Sequence, residues 1–378
     1  MSFSPATSIR DHFATVEDPR IDRTKAHGLL DIIVIAVCAV VCGADSWVDV
    51  EDFGHAKLAW LRRFMPLPNG IPSHDTFGEV FARLDPAQFQ TSFLNWVRAV
   101  MEVTGGQVIA VDGKTLRRSH DHRLGKDAIH MVSAWATANR VVLGQIKVDE
   151  KSNEITAIPA LLQVLDLAGC IVTLDALGTQ KEIAQTIVAR EADYVLALKE
   201  NQGHLYDDVQ ATFEDAAQHQ FQAVPHDYHK TVTKGHGRLE IRECWTISRA
   251  DYLEALRDYT LWPQLHSIGM VQAERRVGAT TSVERRYYLS SLAGDAAQLS
   301  DAIRSHWGVE NGLHWCLDIA FREDESRIRK GAGDQNFAVL RHLALNLLKQ
   351  EKTAKVGIKA KRLKAGWDEA YLLKVLAG

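Results

Sequence analysis

The sequence predicts an α/β protein in which a mixed β-sheet carries helices on its faces. Three features of the sequence lead to this prediction. Apolar residues recur at helical spacing through the first hundred residues, and short β-rich runs alternate with helical runs after residue 105. Between about residues 225 and 292, strand-like runs follow one another with polar turns between them. We therefore expect a helical N-terminal region, an α/β core and an all-β stretch that interrupts this core.

The composition is that of an ordinary globular protein, with 46% hydrophobic and 24% charged residues in a chain of 378. The 44 basic and 48 acidic residues leave a net charge of −4, which excludes a uniformly basic coat for nucleic acid but not local basic patches. Five cysteines among apolar neighbours predict buried free thiols of a reducing compartment. The longest apolar run, residues 32–41, is shorter than the roughly 20 residues that cross a bilayer, so we expect a cytoplasmic protein with no membrane partner.

The N-terminal region is predicted to contain helices at residues 29–42, 47–64, 73–84 and 89–101. A proline-rich run breaks the chain before the third helix, and either Ser73 or Asp75 can cap that helix. Two helices joined by such a turn can read a DNA groove, or they can form a small packing domain. The pattern leaves both interpretations open.

The core is predicted from runs that alternate between strand and helix. The two runs around the polar turn at residues 139–140 indicate a hairpin, and the later strand–helix alternation indicates parallel pairing. Strands are expected at residues 107–112, 131–137, 141–148, 170–175 and 194–198, and helices at 154–167, 181–190 and 202–217.

The division of the chain follows from these runs. In the all-β stretch, strands are expected at residues 231–233, 238–247, 267–273 and 282–289, and helices follow it at 297–319 and 335–348. The tail, residues 349–378, has a net charge of +5. The expected domains are residues 1–104, 105–224, 225–292, 293–348 and 349–378.

Asp112 and Asp175 each follow an apolar strand-like run. Strand C-termini border the ligand crevice of an open α/β sheet, and an unpaired buried carboxylate is costly. Two such carboxylates on adjacent strands would suit Mg²⁺ or Mn²⁺. The alternative is that each aspartate only caps the turn that follows its strand.

A third acid is available in the predicted helix 297–319. His306, Glu310, His314 and Asp318 share one face of a regular helix. One interpretation is a zinc site of the two histidines, although eight residues span about 12 Å, too far for one ion. A second is that Glu310 completes a carboxylate triad, and a third is a plain polar helix face.

Basic residues cluster near these acids. A solvated surface is the ordinary explanation of any one cluster, but together they predict phosphate contacts around a metal site. Arg123 and Lys126 belong to the first cluster, and Trp307 could stack on an unpaired base or pack in the core. The candidate DNA contacts are Lys114, Arg117, Arg118, Lys199, Asn201, Arg304, His306, Trp307, Arg322, Arg327 and Arg329.

Six motifs occur in order along the chain. They lie at residues 111–115 (VDGKT), 151–159 (KSNEITAIP), 173–178 (TLDALG), 197–202 (ALKENQ), 235–238 (GHGR) and 305–315 (SHWGVENGLHW). Together they resemble the motifs of bacterial insertion-sequence transposases of the ISAs type, a family that includes the H-repeat-associated proteins. The likeness runs from about residue 13 to the C-terminus.

This resemblance implies a DDE transposase with an RNase-H-like core, in which Asp112, Asp175 and Glu310 form the catalytic triad and hold two Mg²⁺ or Mn²⁺ ions. It implies that residues 225–292 are the insertion that such enzymes carry between the second aspartate and the glutamate. The implied partner is double-stranded DNA, as the terminal inverted repeats of the element and as target DNA. The N-terminal helices and the basic tail are then expected to contact DNA. Since two DNA ends are brought together, we expect a homodimer.

The implied reaction is hydrolysis of DNA at the element ends, followed by joining of the 3′ ends to target DNA. A metal-dependent nuclease with the same fold and a domesticated DNA-binding protein with a dead site remain as alternatives. Many related transposases surround the glutamate with Tyr-x2-Arg-x3-Glu-x6-Lys, and here Ile303, His306 and Leu317 occupy the flanking positions. Arg304 or His306 could replace the arginine of that pattern.

Overall fold

The computed structural model describes residues 6–100, 106–120, 127–148, 153–235 and 237–377. The N-terminal region is helical, as predicted. Its long apolar helix is buried on nearly every side, and the helix predicted over 47–64 is divided in two at Lys57. Ser73 rather than Asp75 caps the helix that follows, because its hydroxyl accepts the backbone N–H of Thr76 at 3.3 Å. The helices are α1 Ala6–Phe13, α2 Leu29–Val41, α3 Trp47–Ala56, α4 Leu58–Leu61, α5 His74–Arg83 and α6 Pro86–Val100.

A mixed β-sheet forms the centre of the protein. Within the described residues it has nine strands in the order β3-β2-β1-β4-β5-β9-β8-β7-β6. β1 is antiparallel to β2, β2 is antiparallel to β3, and β1, β4 and β5 are parallel. The strands are β1 Val108–Thr115, β2 His130–Ala136, β3 Val141–Lys147, β4 Ile171–Leu174, β5 Asp193–Leu198, β6 Asp227–Gly235, β7 Arg238–Ile247, β8 Ser267–Val277 and β9 Thr280–Ser290.

Residues 225–292 extend the central sheet. Their four strands are antiparallel, and β9 pairs with β5 from Val195↔Ser290 to Leu198↔Tyr287, so the ladder continues without a gap. The stretch is not purely β, since helix α10 Ala250–Glu254 and a 3₁₀ turn lie between β7 and β8. The far halves of β8 and β9 project beyond the core and are exposed.

Helices cover both faces of the sheet. The remaining helices are α7 Glu154–Gln163, α8 Lys181–Ala189, α9 Gly203–Gln218, α11 Ala296–His306, α12 Trp315–Ala320, α13 Gly333–Gln350, α14 Ile358–Trp367 and α15 Glu369–Ala377. α11 crosses β1 and β4, whereas α7 packs on β2 and β3. The long α13 is almost entirely buried and packs against α2, α5, α6 and β3, so it joins the N-terminal helices to the sheet.

The predicted helix 297–319 is interrupted. α11 ends at His306, and a π-helical turn, Glu310–His314, separates it from α12. Gly312 lies in this turn, where a β-carbon would approach Cζ2 of the Trp135 ring to 2.9 Å. Two glycines within five residues lower helix propensity, which makes a local departure from the α-helix less costly.

The basic tail folds as α14 and α15, and part of its charge is internal. Arg362 is 3% exposed, and its guanidinium donates to the carbonyl oxygens of Val40 and Ala44 at 2.9 and 3.1 Å. It also stacks over the Phe321 ring at 4.2 Å. The predicted thiols are confirmed as free, with Cys42 half-buried and the other four buried. In the described parts of the chain, no helix has both the length and the apolar character to cross a membrane.

Candidate active site

The parallel pairing of β1 with β4 brings Asp112 and Asp175 to the same level of the sheet. The register pairs Ala110 with Thr173, and each aspartate lies two residues further along its own chain. Asp175 directly follows its strand, as predicted. Asp112 does not end its strand, because β2 continues the ladder on the other side as far as the pair of Thr115 with His130.

Glu310 belongs to a different part of the chain from the two aspartates. It begins the π-helical turn after α11, and it lines one cavity of about 850 Å³ together with Asp112 and Asp175. Three separate elements therefore contribute the three predicted acids to one cavity. Polar, basic and aromatic side chains complete its wall, among them Lys199, Asn201, Arg285, Arg286, His306 and Trp307.

Negative charge is concentrated around Asp112. Its pKa is raised to about 7, chiefly because the carboxyl is buried and next because the Asp175 carboxylate is near. Glu154 and Glu310 raise the pKa too, whereas the backbone N–H of Gly113 donates to Oδ1 at 3.0 Å and opposes the rise. These carboxylates therefore lie where a counter-ion of high charge would relieve their repulsion.

Asp175 also caps the turn after β4. Its Oδ1 accepts the backbone N–H groups of Leu177 at 3.0 Å and Gly178 at 3.2 Å. The capping interpretation is thus correct for one oxygen of this carboxylate. The same bonds fix the side chain at the edge of the cavity.

His306 and His314 contact different residues. Nδ1 of His306 lies 2.9 Å from the Thr173 hydroxyl, and burial lowers the pKa of this imidazole. Nδ1 of His314 lies 3.5 Å from Oδ2 of Asp112, and burial lowers the pKa of His314 to about 4. The zinc interpretation gains no support. Within the described ranges no three His, Cys, Asp or Glu side chains converge as a ready-made metal site, and this holds for the three carboxylates as well as for the two histidines.

Lys114 is turned into the protein rather than into the cavity. Its ammonium bonds to Asp318 and, at 2.8 Å, to Glu323, and its side chain is 13% exposed. Burial opposes the charge, but these carboxylates outweigh it and raise the pKa of Lys114. Lys114 is mostly buried as well as paired, whereas the paired side chains of Arg117 and Arg322 are 81% and 62% exposed, so Lys114 is not among the DNA contacts that we propose below.

The other predicted DNA contacts lie in three places. Lys199 and Asn201 line the cavity, where the Asn201 amide donates to the Ala176 carbonyl at 2.7 Å. Arg304 and Trp307 are exposed and line a smaller neighbouring cavity of about 360 Å³. The remaining arginines form a rim beyond Lys114: Arg117 pairs with Asp324 at 3.3 Å, Arg322 pairs with Glu325, Arg329 donates to the Arg118 carbonyl at 2.8 Å, and Arg327 is exposed.

Arg123 and Lys126 lie outside the described residues. The Trp307 ring does not pack in the core, and it contacts a cationic side chain. It is 40% exposed, and the Arg286 guanidinium lies over it, 4.7 Å from the ring centroid.

The donor chemistry of the cavity fits a hard divalent cation. Carboxylate oxygens are the ligands that Mg²⁺ prefers, and Mg²⁺ keeps several waters while taking one or two protein carboxylates plus phosphate oxygens of the substrate. Such a site does not require a closed cage of protein ligands. Asp112, Asp175 and Glu310 could hold this ion. The His306 ring is turned to the Thr173 hydroxyl, and the His314 ring contacts Asp112 itself.

Two family models match the chain. A model described as "DDE_Tnp_1-associated" matches residues 10–97, and one described as "Transposase DDE domain" matches residues 104–347. The second match alone covers more than half of the chain. The chain belongs to the DDE transposase family. Its relatives agree with this assignment.

This transposase is 41% identical over 375 residues to "H repeat-associated putative transposase YhhI" of Escherichia coli (strain K12), with 98% of both chains covered. It is 41% identical over 374 residues to "Putative transposase YncI" of Escherichia coli O157:H7, with 98% of this chain and 94% of the relative covered. Among solved structures, a cryo-EM structure of piggyBac transposase in a synaptic complex with hairpin DNA aligns with 98% of this chain and 78% of that one, at 11% identity and a TM-score of 0.39.

Sequence reasoning missed a second polar cluster beside the first aspartate of the transposase. His130 Nε2 bonds to Glu154, its Nδ1 lies 2.8 Å from the Thr115 hydroxyl, and a β-carbon on Gly113 would overlap both Glu154 and His130. The cluster lies on the face of β1 opposite to Asp112, because neighbouring strand residues point to opposite faces. The signal was present in the motif at residues 151–159, to which no role had been assigned.

Proposed function

We propose that this transposase cleaves double-stranded DNA at the ends of its own insertion-sequence element and joins the resulting 3′ ends to target DNA. One observation carries the proposal: Asp112, Asp175 and Glu310, on three separate elements, line one cavity. An acid-lined cavity suits phosphoryl transfer, because that chemistry depends on stabilising charge rather than on a protein nucleophile.

The three carboxylates would bind two Mg²⁺ or Mn²⁺ ions. When bound, these ions would activate the attacking water or 3′ hydroxyl and neutralise charge on the scissile phosphate. Asp175 would be held in place by the N–H groups of Leu177 and Gly178, and Asp112 by Gly113. His306, fixed on Thr173, would support the wall from which Glu310 projects.

Basic and aromatic residues of the cavity would hold the DNA. Lys199 and Arg286 line the same cavity as the carboxylates, and Arg286 is paired with Glu284 at 2.8 Å. Both would contact the phosphates that flank the scissile bond, Arg286 after exchanging its carboxylate partner for a phosphate. Trp307, with Arg286 over its exposed ring, offers a surface on which an unpaired base could stack. Arg304 and the arginine rim of Arg117, Arg118, Arg322, Arg327 and Arg329 would extend these contacts along the duplex.

We further propose that β1 to β5 form an RNase-H-like core. The order β3-β2-β1-β4-β5, with β1 to β3 antiparallel and β1, β4 and β5 parallel, supports this proposal. Residues 225–292 would then be an insertion that lengthens the sheet. The helices before residue 105, and the exposed lysines of the tail, would add DNA contacts, and a homodimer would bring two ends together.

The experiment is a cleavage assay with labelled duplex DNA that carries the termini of the element. Wild-type protein with Mg²⁺ is expected to cut the DNA, and Asp175→Asn is expected to bind it with unchanged affinity but not to cut it. The variant is isosteric and removes only the charge. Equal cleavage by wild type and Asp175→Asn would overturn the enzymatic proposal.

Added target DNA separates transposition from simple cleavage. Covalently joined products would support the transposase reaction. Cleavage without joined products would favour a metal-dependent nuclease with the same fold. Binding without cleavage by wild-type protein, in either Mg²⁺ or Mn²⁺, would favour a DNA-binding protein with an inactive site.

A further inference from the structure

A second cleft lies behind the segment that carries Glu310. It has a volume of about 720 Å³ and is bordered by the start of β1, the turn between β2 and β3, the π-helical turn and the end of α13. Glu310 lines the catalytic cavity, and the next residue, Asn311, lines this cleft. We call it the cationic cleft, defined by Gln107, Thr137, Arg140, Ser305, Asn311 and Lys349.

The two cavities lie on opposite sides of one helical segment. At 100° per residue, Ile303, His306 and Glu310 share one side, and all three line the catalytic cavity. Ser305 and Gly308 project from the other side and line the cationic cleft. A helix with its side chains is about 10–12 Å wide, which is comparable with the width of the major groove of B-DNA, about 12 Å.

The charge of the cleft is one-sided. Its described lining contains Arg140 and Lys349 but no aspartate or glutamate, whereas the catalytic cavity is rich in acids. Neither Arg140 nor Lys349 makes an ion pair with any residue that the structure describes. Lys349 does lie over the Trp135 ring, 5.8 Å from its centroid.

Other positively charged side chains lie near Lys349. Burial lowers the pKa of its ammonium, the positive charges of Arg140, Lys352 and Lys361 lower it further, and the Cys316 thiol opposes this effect. Lys361 has a partner of its own, since its Nζ lies 3.6 Å from Oε2 of Glu351. Arg140 and Lys349 repel each other with no such carboxylate in the cleft lining, and an anion from outside would relieve that repulsion.

The floor of the cleft favours phosphates over bases. Trp135 is 1% exposed, so its ring offers no face on which a base could stack. Polar groups lie beside the cations: the Asn311 amide, the Ser305 hydroxyl and the Gln107 side-chain amide, whose buried oxygen has no hydrogen-bond partner among the described residues. A wide, open cleft with two cations suits a phosphate backbone.

We propose that the cationic cleft binds backbone phosphates of duplex DNA, at a site separate from the catalytic cavity. The α11 segment would then sit in a DNA groove, with phosphates contacted from both of its sides. This inference rests on the proposed function. It adds Arg140 and Lys349, which no motif indicated, to the residues that hold the DNA.

The test compares the salt dependence of DNA binding in the full chain, without divalent metal so that no cleavage intervenes. In Arg140→Asn/Lys349→Gln, the slope of log affinity against log salt is expected to shrink by about 1.8, at about 0.9 per phosphate contact. The ratio of the wild-type affinity to the affinity of the double variant should therefore fall about tenfold as the salt concentration rises from about 50 to about 200 mM. Asn is chosen at position 140 because Arg140 has φ of 58°, a conformation that asparagine tolerates.

Matched variants control for charge and folding. Arg249→Gln/Lys181→Gln removes the same two charges where Asp251 and Asp258 already match them, and its slope should equal that of wild type. Lys349→Arg keeps the charge and should retain the wild-type slope, whereas the Lys349→Gln single variant should have a smaller one. If Lys349→Gln does not fold, Arg140→Asn alone, at an exposed turn, should lower the slope by about 0.9.

The outcomes are distinguishable. An unchanged slope in a folded double variant, with wild-type protein that binds and cleaves, would overturn the cleft proposal and leave the proposed function intact. A changed oligomeric state with an unchanged slope would overturn it in favour of an interface between copies of this chain. Absence of salt-dependent binding by wild type would count against the proposed function itself.

Discussion

Nδ1 of His314 lies 3.5 Å from Oδ2 of Asp112, and the opposite ring nitrogen of His314 is buried without a partner in the described protein. The ring is neutral at pH 7, because burial lowers its pKa to about 4. The contact is therefore between the Asp112 carboxyl group and a neutral ring rather than between two opposite charges. Because it lies beside the first proposed metal ligand, we expect His314 to help orient the Asp112 carboxyl group.

Replacement of His314 by alanine is expected to reduce cleavage about 10- to 100-fold, or to raise the required Mg²⁺ concentration by a similar factor. The reason is that Asp112 loses the neighbour that fixes its orientation. Cleavage rates across a series of Mg²⁺ and Mn²⁺ concentrations, at saturating DNA, measure the effect. His219→Ala, at the exposed end of α9, is the control, and wild-type rates for His314→Ala at every metal concentration would contradict the prediction.

Replacement of Gly113 by alanine is expected to destabilise the protein by about 1–3 kcal/mol. The added methyl group would overlap the Glu154 carboxylate and the His130 ring and force this hydrogen-bonded pair apart. Chemical denaturation measures the change in the free energy of unfolding. Gly235→Ala is the matched control, since a β-carbon there meets nothing within 4 Å.

The double variant Gly113→Ala/Glu154→Ala tests the cause of that effect. If steric overlap is responsible, removal of the Glu154 side chain should recover part of the stability lost in Gly113→Ala. Simple addition of the two single effects would show that the overlap is not the reason.

Replacement of Arg362 by methionine is expected to lower the free energy of unfolding by about 3–5 kcal/mol. The buried guanidinium satisfies the carbonyls of Val40 and Ala44 and pairs with Asp45 at 3.0 Å, and all three would be left without it. Urea denaturation provides the measurement. Lys359→Met, on the exposed side of the same helix, should change stability by less than about 0.5 kcal/mol, and an equally small effect at Arg362 would be inconsistent with its structural role.

His342 predicts a loss of stability in mild acid. Burial lowers the pKa of this histidine from 6.5 to about 4, although Glu323 opposes the shift. The unfolded chain therefore binds a proton more readily than the folded one, so this contribution is present above about pH 6.5 and is lost as the pH falls toward 4. The shift corresponds to about 3 kcal/mol.

The measurement for His342 is the free energy of unfolding at several pH values between 4 and 7. His342→Gln cannot take up this proton, so its stability should fall less steeply over that window than the stability of wild type. Parallel curves for the two proteins would mean that His342 does not carry the effect.

Local pattern alone predicted most of the elements that build the site. Helical spacing located α2 and α13, and β-rich runs located β1 to β5, because each residue of such an element is constrained chiefly by its near neighbours. The candidate aspartates were found for the same reason, since they stand where apolar runs stop. The boundaries were less certain: β1 continues past Asp112 because of its pairing with β2, which the run itself does not encode.

The sequence by itself determined the elements, the candidate acids and the family to which the chain belongs. Only the tertiary structure decided which charges remain available. Lys114 bonds to Asp318 and Glu323, more than two hundred residues away. Arg362 of the basic tail is buried against α2. Neither side chain is therefore an exposed cation. Arg140 and Lys349 are 209 positions apart in the chain, and both line one cleft. Helical and strand periodicity is a short-range property that a sequence displays directly, whereas burial and ion pairing depend on which distant segments the folded chain brings together.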